Sequence, residues 1–293
     1  MTTLRIAEPE LVASFDSTVV AVRTSGEGEG TPLLAIPAVG ATMVAWARAL
    51  VDVGRERRVV SWDLRGLHES GPPESDRLDA GAHAEDAIAA LEHAGVDRFL
   101  LAAWSSGARI ALEIAHRYPE RVASLAVVSG GFGHAPGRLL RYLELQSALP
   151  VLASAAKHFS YPLQVALHTL AARPEIGGII RQSGMIAAPA ETSVLVELLR
   201  GAAGCDLRML LNVFEEVAGD DASALLPTIE APTLLVVGER DQFTPRRMME
   251  QMARAIPRAR LEVYDHATHY LPIEYPARLG DDLRRFWRTT GES

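Results

Sequence analysis

Short apolar runs alternate along the chain with segments in which apolar residues recur at helical spacing. The apolar runs predict buried strands at Thr18–Val22, Leu33–Ile36, Arg58–Trp62, Phe99–Ala103, Ser124–Val128, Thr233–Val237 and, more weakly, Arg260–Tyr264. The helical spacing predicts helices at Thr42–Val53, His83–Ala94, Ser106–Tyr118 and Arg246–Ala255. Nearly continuous apolar strands that alternate with helices are typical of a parallel sheet covered on both faces. The pattern therefore predicts an α/β fold with a mostly parallel, doubly wound sheet.

This alternation stops between residues 134 and 222. The stretch is almost free of strand pattern and is typical of several amphipathic helices separated by prolines. Strand pattern resumes at Pro232. We therefore predict an α/β core made of residues 1–133 and 223–293, interrupted by a helical insertion of residues 134–222.

The bulk composition excludes several classes of protein. The chain has 293 residues and a formal net charge of −8, which disfavours nucleic acid and anionic membranes as partners. The single cysteine, Cys205, excludes an intramolecular disulfide and a cysteine-rich zinc site. The first residues do not have the pattern of a signal peptide, and no apolar stretch approaches the ~20 residues that span a bilayer. A cytoplasmic location is therefore expected.

One segment passes without a break from a predicted strand to a predicted helix, in LLAAWSSGARIALEIA. Ser105 stands at this corner, with Ala103 two residues before it and Gly107 two residues after it. Small residues at these positions let the strand and the helix pass close together around an exposed nucleophile. Ser105 or Ser106 could equally cap the helix. From this segment alone, both interpretations stay open.

Two further polar residues follow predicted strands. Asp241 comes just after the strand in PTLLVVGERDQFTP, and His269 follows the next strand, in LEVYDHATHYLPIEYP. Because parallel strands end at the same edge of a sheet, Ser105, Asp241 and His269 are expected to lie together. The histidine would accept the serine proton, and the aspartate would fix the tautomer of the histidine.

Four sequence blocks resemble the α/β-hydrolase superfamily in its capped, single-domain form, in which serine esterases and lactonases occur. They are DLRGLHESG, YPERVASLAVV, PTLLVVGERD and HATHYLPIEYP, in the family's order. The resemblance covers nearly the whole chain outside the insertion and implies a helical cap after the sixth strand. It implies Ser105 as nucleophile, His269 as base and Asp241 as acid. It also implies an oxyanion hole formed by the N–H groups of Val39 and Ser106, and neither a cofactor nor a metal.

The loop AIPAVGATMVAW departs from the family pattern. Pro37 and Ala38 stand where the family usually has His-Gly. Neither residue carries the N–H expected from Val39, so the resemblance leaves the oxyanion hole in place, while the altered loop leaves a different reaction open.

The remaining candidates are assigned by position. The residues expected to line a substrate pocket are Trp104, Gly40, His68 and Tyr270. The histidines expected at the surface, on helical patterns, are His83, His93 and His116. His266 lies close to the expected base and is assigned to its loop. Cys205 is interpreted as a small buried residue, because no histidine is placed to activate it.

The apolar faces of the insertion carry few charges, which predicts an apolar pocket beneath it. The expected reaction is hydrolysis of an apolar carboxylic ester, lactone or thioester by way of an acyl-enzyme on Ser105. Two alternatives stay open. The same three residues could cleave carbon–carbon bonds, transfer acyl groups or form peracids, or a slow or vestigial triad could belong to a ligand-binding, receptor-like protein. The sequence leaves a homodimer open.

Overall fold

The structure is a computed structural model that describes residues 3–133, 160–219 and 221–291, in which seven strands form one sheet. The strands are β1 (Glu10–Ala13), β2 (Val19–Ile36), β3 (Arg57–Trp62), β4 (Phe99–Trp104), β5 (Val122–Val128), β6 (Thr233–Gly238) and β7 (Ala259–Tyr264). Strands β2, β4, β5, β6 and β7 lie side by side in that order and run parallel. Strand β1 pairs antiparallel with β2. The predicted α/β fold with a mostly parallel sheet is confirmed.

The described helices cover both faces of the sheet. They are α1 (Val51–Glu56), α2 (Ala80–His93), α3 (Gly107–Arg117), α4 (Ser160–Ala171), α5 (Ile176–Gln182), α6 (Thr192–Gly204), α7 (Leu207–Gly219), α8 (Arg246–Ala255), α9 (Leu271–Glu274) and α10 (Pro276–Thr289). One hydrophobic core includes side chains of α2, α3 and α8. The other core includes side chains of α1 and α10. Each face of the sheet is thus buried under helices, as near-continuous apolar strands require.

Strand β2 is one element of 18 residues where the sequence predicted two strands. Where Val22 lies opposite Trp62, β2 runs antiparallel to β3. Near Leu34, which lies opposite Val60, the residue numbers of the paired positions increase together on both strands, as in a parallel pair. The strand therefore bends around β3 through its glycine-rich middle, residues 26–30. When its two halves are counted separately, β5 is the sixth strand segment, and the helical insertion follows it.

The predicted helix Thr42–Val53 is wrong. The segment instead forms a 3₁₀ turn at Met43–Ala45, followed by the short helix α1. The side chain of Trp46 lies between them and is completely buried, and its indole N–H donates to the carbonyl of Ile36 at 3.3 Å. The packing of this large ring against the sheet decides the local conformation, and it overrides the helical spacing of the apolar residues.

The surface position predicted for His83 is also wrong, because its side chain is completely buried. His83 lies on α2 four residues before Ala87 and eight before Leu91, which share its buried face. It packs beside the buried ion pair of Arg65 and Asp86, whose Nη2 and Oδ1 atoms are 2.6 Å apart. Burial lowers the pKa of His83 to about 4, although the negative charge of Asp86 acts in the opposite direction.

The insertion predicted at residues 134–222 is described only in part, since residues 134–159 and 220 lie outside the described residues. Its described part consists of helices α4 to α7. Helix α6 contacts α4 and α5, and α4 contacts α7. Two side chains of α7 lie against glycines of the core: Leu210 against Gly40, and Met209 against Gly66. None of the described helices is both long and apolar enough to cross a membrane.

Candidate active site

The corner between β4 and α3 holds Ser105 in an unusual backbone conformation. Its φ of 56° lies in the left-handed region, which is costly for a residue with a Cβ atom. Two backbone hydrogen bonds fix this conformation: the N–H of Ser105 donates to the carbonyl of Val128 at 3.0 Å, and its carbonyl accepts from Ala108 at 3.0 Å. Such strain persists only where the surroundings impose it, and it turns the side chain out at the carboxyl edge of the sheet.

The close approach of strand and helix explains the small residues around Ser105. A Cβ atom added to Gly107 would lie 2.5 Å from the carbonyl oxygen of Pro37, too close for any side chain to fit without movement. At the other position Ala103 is completely buried in β4 and keeps its methyl group. The glycine is therefore required on the helix side of the corner, whereas the strand side accommodates one methyl group.

The structure brings the three residues predicted from the sequence into one hydrogen-bonded chain. Ser105 Oγ lies 2.8 Å from His269 Nε2. On the other side of the ring, His269 Nδ1 lies 3.0 Å from Asp241 Oδ2. The neighbouring His266 takes no part, because its side chain is 71% exposed and its ring contacts Arg240 at 2.9 Å.

Asp241 is buried, but its carboxylate is well supplied with donors. Oδ1 accepts from the backbone N–H groups of Phe243 and Thr244, at 2.9 and 2.8 Å, and Oδ2 accepts from the Thr244 hydroxyl at 2.8 Å. Burial alone raises the pKa of Asp241, but hydrogen bonds from His269 and Thr244 outweigh it, so the pKa lies below its usual value. An ionised carboxylate can only accept, so Nδ1 of His269 carries the proton and Nε2 is free to accept from Ser105.

Aromatic side chains surround the imidazole of His269. The indole N–H of Trp104 donates to the backbone carbonyl of His269 at 3.0 Å. The ring centroids of Phe243 and Tyr270 lie 5.0 and 5.6 Å from that of His269. Burial, followed by the charge of Asp241, raises the pKa of the Tyr270 hydroxyl. Two of the residues predicted for the pocket, Trp104 and Tyr270, therefore lie against the histidine.

The two amides predicted for the oxyanion hole differ in their contacts. The N–H of Val39 donates to the hydroxyl of Ser106 at 2.9 Å. The N–H of Ser106 has no acceptor among the residues that the structure describes. Ser106 precedes the first turn of α3, but its side chain makes no capping hydrogen bond to the helix. The hydroxyl contacts the loop that contains Val39.

The other two pocket candidates, Gly40 and His68, lie under the insertion. Gly40 has a φ of 79°, and an added Cβ atom would lie 2.9 Å from Leu210 Cδ1, so glycine is needed here for both conformation and space. His68 Nδ1 lies 3.5 Å from Cys205 Sγ. The expectation that no histidine lies near Cys205 is therefore wrong. Burial raises the pKa of this thiol, however, which keeps it protonated and a poor nucleophile.

Sequence reasoning missed two residues that support the site. Thr244 holds Asp241, and its position three residues after an aspartate in a polar turn was an available signal. Glu274 is buried and accepts from the N–H groups of Thr268 and Ala187, each at 2.8 Å. It thereby ties the loop before His269 to the insertion. No local pattern marks Glu274 for this role, because Ala187 is distant in sequence.

The described part of the chain holds no group of three or more His, Cys, Asp or Glu side chains arranged around a metal ion.

Comparison with known proteins identifies the family of this chain. The model of a family described as the alpha/beta hydrolase family matches residues 33–281. A pimeloyl-(acyl-carrier protein) methyl ester esterase from Neisseria meningitidis is 32% identical over 236 residues, which cover 76% of this chain and 82% of the relative. A 2-hydroxymuconate semialdehyde hydrolase from Pseudomonas sp. strain CF600 is 24% identical over 282 residues, or 92% of this chain and 91% of the relative.

Solved structures show the same fold. An esterase from Rhodococcus sp. ECU1013 superposes with a TM-score of 0.76 at 21% identity, covering 97% of this chain and all (100%) of the other. The family model spans most of the chain, and these relatives and this neighbour are named as hydrolases. The chain belongs to the alpha/beta hydrolase family.

Proposed function

We propose that this chain is a serine hydrolase that cleaves a carboxylic ester or lactone of apolar character through an acyl-enzyme on Ser105. One observation carries the proposal: Ser105 Oγ, His269 and Asp241 form a continuous hydrogen-bonded chain, with links of 2.8 and 3.0 Å. A serine hydroxyl is a weak nucleophile until an adjacent base accepts its proton, and this chain supplies the base.

In the first half of the reaction, Ser105 Oγ attacks the carbonyl carbon of the substrate as its proton passes to Nε2 of His269. Asp241, held ionised by its donors, stabilises the imidazolium and keeps its Nδ1–H directed at the carboxylate. The carbonyl oxygen becomes an oxyanion, which the free N–H of Ser106 stabilises. When the tetrahedral intermediate collapses, His269 gives its proton to the leaving alkoxide, and an acyl group remains on Ser105.

In the second half, water replaces the alcohol. His269 takes a proton from the water, the resulting hydroxide attacks the acyl carbon, and the carboxylic acid leaves as Ser105 regains its proton. The aromatic side chains around His269 limit the access of bulk water to the ring, which strengthens each of these hydrogen bonds.

The surroundings of the corner support an apolar substrate. Leu210 and Met209 of α7 lie over glycines of the core, and Phe243 lies against His269 with 38% of its surface exposed. We also propose that the core comprises residues 1–133 and 223–293 and that residues 134–222 form a cap over the site. One of the relatives is named as a methyl ester esterase, which agrees with an ester substrate.

The proposal is tested with a fluorophosphonate probe and a panel of p-nitrophenyl esters and lactones. We expect the wild-type protein to gain one phosphonyl adduct by intact mass and to hydrolyse at least one ester or lactone of the panel. Ser105→Ala should gain no adduct and lose esterase activity by at least about 10⁴-fold. Ser193→Ala, on an exposed surface of α6, serves as the matched control and should behave as the wild type.

Other outcomes would favour the alternatives. An unlabelled, folded wild-type protein that binds a small apolar ligand without turnover would contradict the proposal and favour a receptor-like protein. Products formed with hydroxylamine or hydrogen peroxide in preference to water would identify acyl transfer or perhydrolysis with the same nucleophile. Turnover of vinylogous diketones with no ester hydrolysis would favour carbon–carbon bond cleavage.

A further inference from the structure

Ser106 directly follows the reacting serine, and its hydroxyl has no role in the proposed mechanism. It accepts a hydrogen bond from the Val39 N–H at 2.9 Å, and it does not cap α3. No acceptor for its own proton lies among the described residues. This hydroxyl is partly exposed and lies next to the nucleophile. One of its lone pairs accepts from Val39, and its proton is free to donate to a bound substrate.

The loop that holds Val39 is fixed on two sides. Gly107 of the corner packs against the carbonyl of Pro37, and Leu210 of α7 packs against Gly40. For the Val39 N–H to bind an oxyanion directly, it would first have to leave Ser106, and the fixed loop gives it little freedom to reorient. A hydroxyl proton, in contrast, rotates about a single bond at little cost.

We propose that the Ser106 hydroxyl is a direct oxyanion donor and that the Val39 amide supports it from behind. This inference rests on the proposed function. As the bond between Ser105 Oγ and the carbonyl carbon forms, the π electron pair moves onto the substrate oxygen. That oxygen accepts hydrogen bonds from the N–H and the O–H of Ser106, and neither proton is transferred. The Val39 N–H polarises the hydroxyl and so strengthens its donation, as neighbouring hydrogen bonds in a chain do.

This arrangement compensates for the unusual loop. Pro37 has no N–H, and the N–H of Val39 already donates to Ser106, so neither residue offers a free donor to the oxyanion. A side-chain hydroxyl at position 106 restores a second donor without any change in the backbone of the loop. Ser106 thus becomes a catalytic residue through its side chain as well as through its amide.

The test is the steady-state hydrolysis of p-nitrophenyl esters by Ser106→Ala and Ser106→Thr. Both variants keep the amide of residue 106, and only the threonine keeps the hydroxyl. We expect Ser106→Ala to lower kcat by about 10²-fold, the usual cost of one oxyanion donor, with little change in KM. Ser106→Thr should recover most of the lost kcat. The affinity for a trifluoromethyl ketone, which forms a tetrahedral adduct, should fall in parallel with kcat.

An unchanged or higher kcat in Ser106→Ala would overturn this inference, because it would show that the released Val39 N–H binds the oxyanion directly. That result leaves the proposed function intact. A wild-type protein with neither ester turnover nor a covalent adduct would overturn both. If the alanine variant fails to fold, Ser106→Cys replaces it, since the thiol is a weaker donor of similar shape. A cysteine variant with the kcat of the wild type would then contradict the inference.

Discussion

The strands that carry Ser105 and Asp241 and the helices of the insertion differ in how completely they are buried. Every residue of β4 and β6 is buried. In α4 only Ala171 is buried, while Tyr161 is 78% exposed and Val165 is 49% exposed. Ser105 and Asp241 are thus attached to completely buried strands, whereas α4 in the insertion is largely exposed.

This difference indicates that the two regions tolerate substitutions to different degrees. The positions of Ser105, His269 and Asp241 depend on strand ends and tight turns that tolerate almost no displacement. Helices α4 to α7 make fewer buried contacts, so their apolar side chains can change with smaller consequences for stability. We therefore expect substitutions at the strand ends to affect catalysis or folding strongly, and matched substitutions in the insertion to have small effects.

The largest effect is expected for Asp241→Asn. The asparagine amide can donate to Nδ1 of His269 and so stabilise the tautomer whose Nε2 carries a proton, which cannot accept from Ser105. We expect kcat for ester hydrolysis to fall by about 10⁴-fold while the fold is kept. Glu197→Gln, an exposed acid on α6, is the control and should leave kcat unchanged. A loss smaller than tenfold in Asp241→Asn would contradict the role of Asp241 as the acid.

A large effect on stability is expected for the buried His83. Its folded-state pKa of about 4 lies below the ordinary value of 6.5, so between these pH values only the unfolded chain takes up the proton. The contribution of His83 to the free energy of unfolding is therefore complete above pH 6.5. It decreases by about 3 kcal/mol in total as the pH falls towards 4.

The measurement is urea unfolding of the wild type and His83→Leu at a series of pH values from 7.5 to 4. The free energy of unfolding should depend less steeply on pH in the variant. His168→Leu, which removes an exposed histidine on α4, should retain the full dependence of the wild type. Equal slopes for the wild type and His83→Leu would show that His83 does not contribute.

A smaller effect on stability separates two glycines. Gly107→Ala places a methyl group 2.5 Å from the carbonyl of Pro37 and should destabilise the protein by about 2 kcal/mol. Gly178→Ala, in α5 of the insertion, meets no atom within 4 Å and should stabilise it by up to about 1 kcal/mol. Urea unfolding checks both. If both substitutions changed the free energy of unfolding in the same direction, the proposed difference between the corner and the insertion would be contradicted.

A further small effect is expected where the two regions meet, at Glu274. In Glu274→Gln the amide group faces an N–H donor, either that of Thr268 or that of Ala187, and loses one hydrogen bond. We expect a cost of about 1–2 kcal/mol and faster amide hydrogen exchange in residues 184–190. Glu197→Gln is again the control. Unchanged exchange at Ala187 would show that Glu274 does not hold the insertion to the histidine loop.

Much of the site could be predicted because its residues follow strands. Ser105 comes directly after its strand, Asp241 and His269 lie in the loops that follow theirs, and the ends of parallel strands converge. The contact between Ser106 and Val39 could not be predicted, because it depends on a side-chain rotamer. The same holds for His68 and Cys205, which become neighbours only when the insertion packs on the core.

The fold was predictable where buried residues form continuous apolar strands, and less so at the edge of the sheet and in the turns and helices beside it. Strand β1 was not predicted, because its apolar run is only three residues long, and its Leu11 is 67% exposed. Helix α10 left a signal that was not used: Leu279, Leu283 and Phe286 are buried at helical spacing within a highly charged segment. The turn around Trp46 was assigned to a helix because apolar spacing does not show how a large ring packs.

The most direct test of the central claim is to trap the acyl-enzyme. The wild-type protein is mixed with a p-nitrophenyl ester, quenched with acid within the first turnover, and analysed by peptide mass spectrometry. We predict a burst of one equivalent of p-nitrophenol, with the acyl group on the peptide that contains Ser105. Steady turnover without a burst, and with no acyl group on that peptide, would contradict the account.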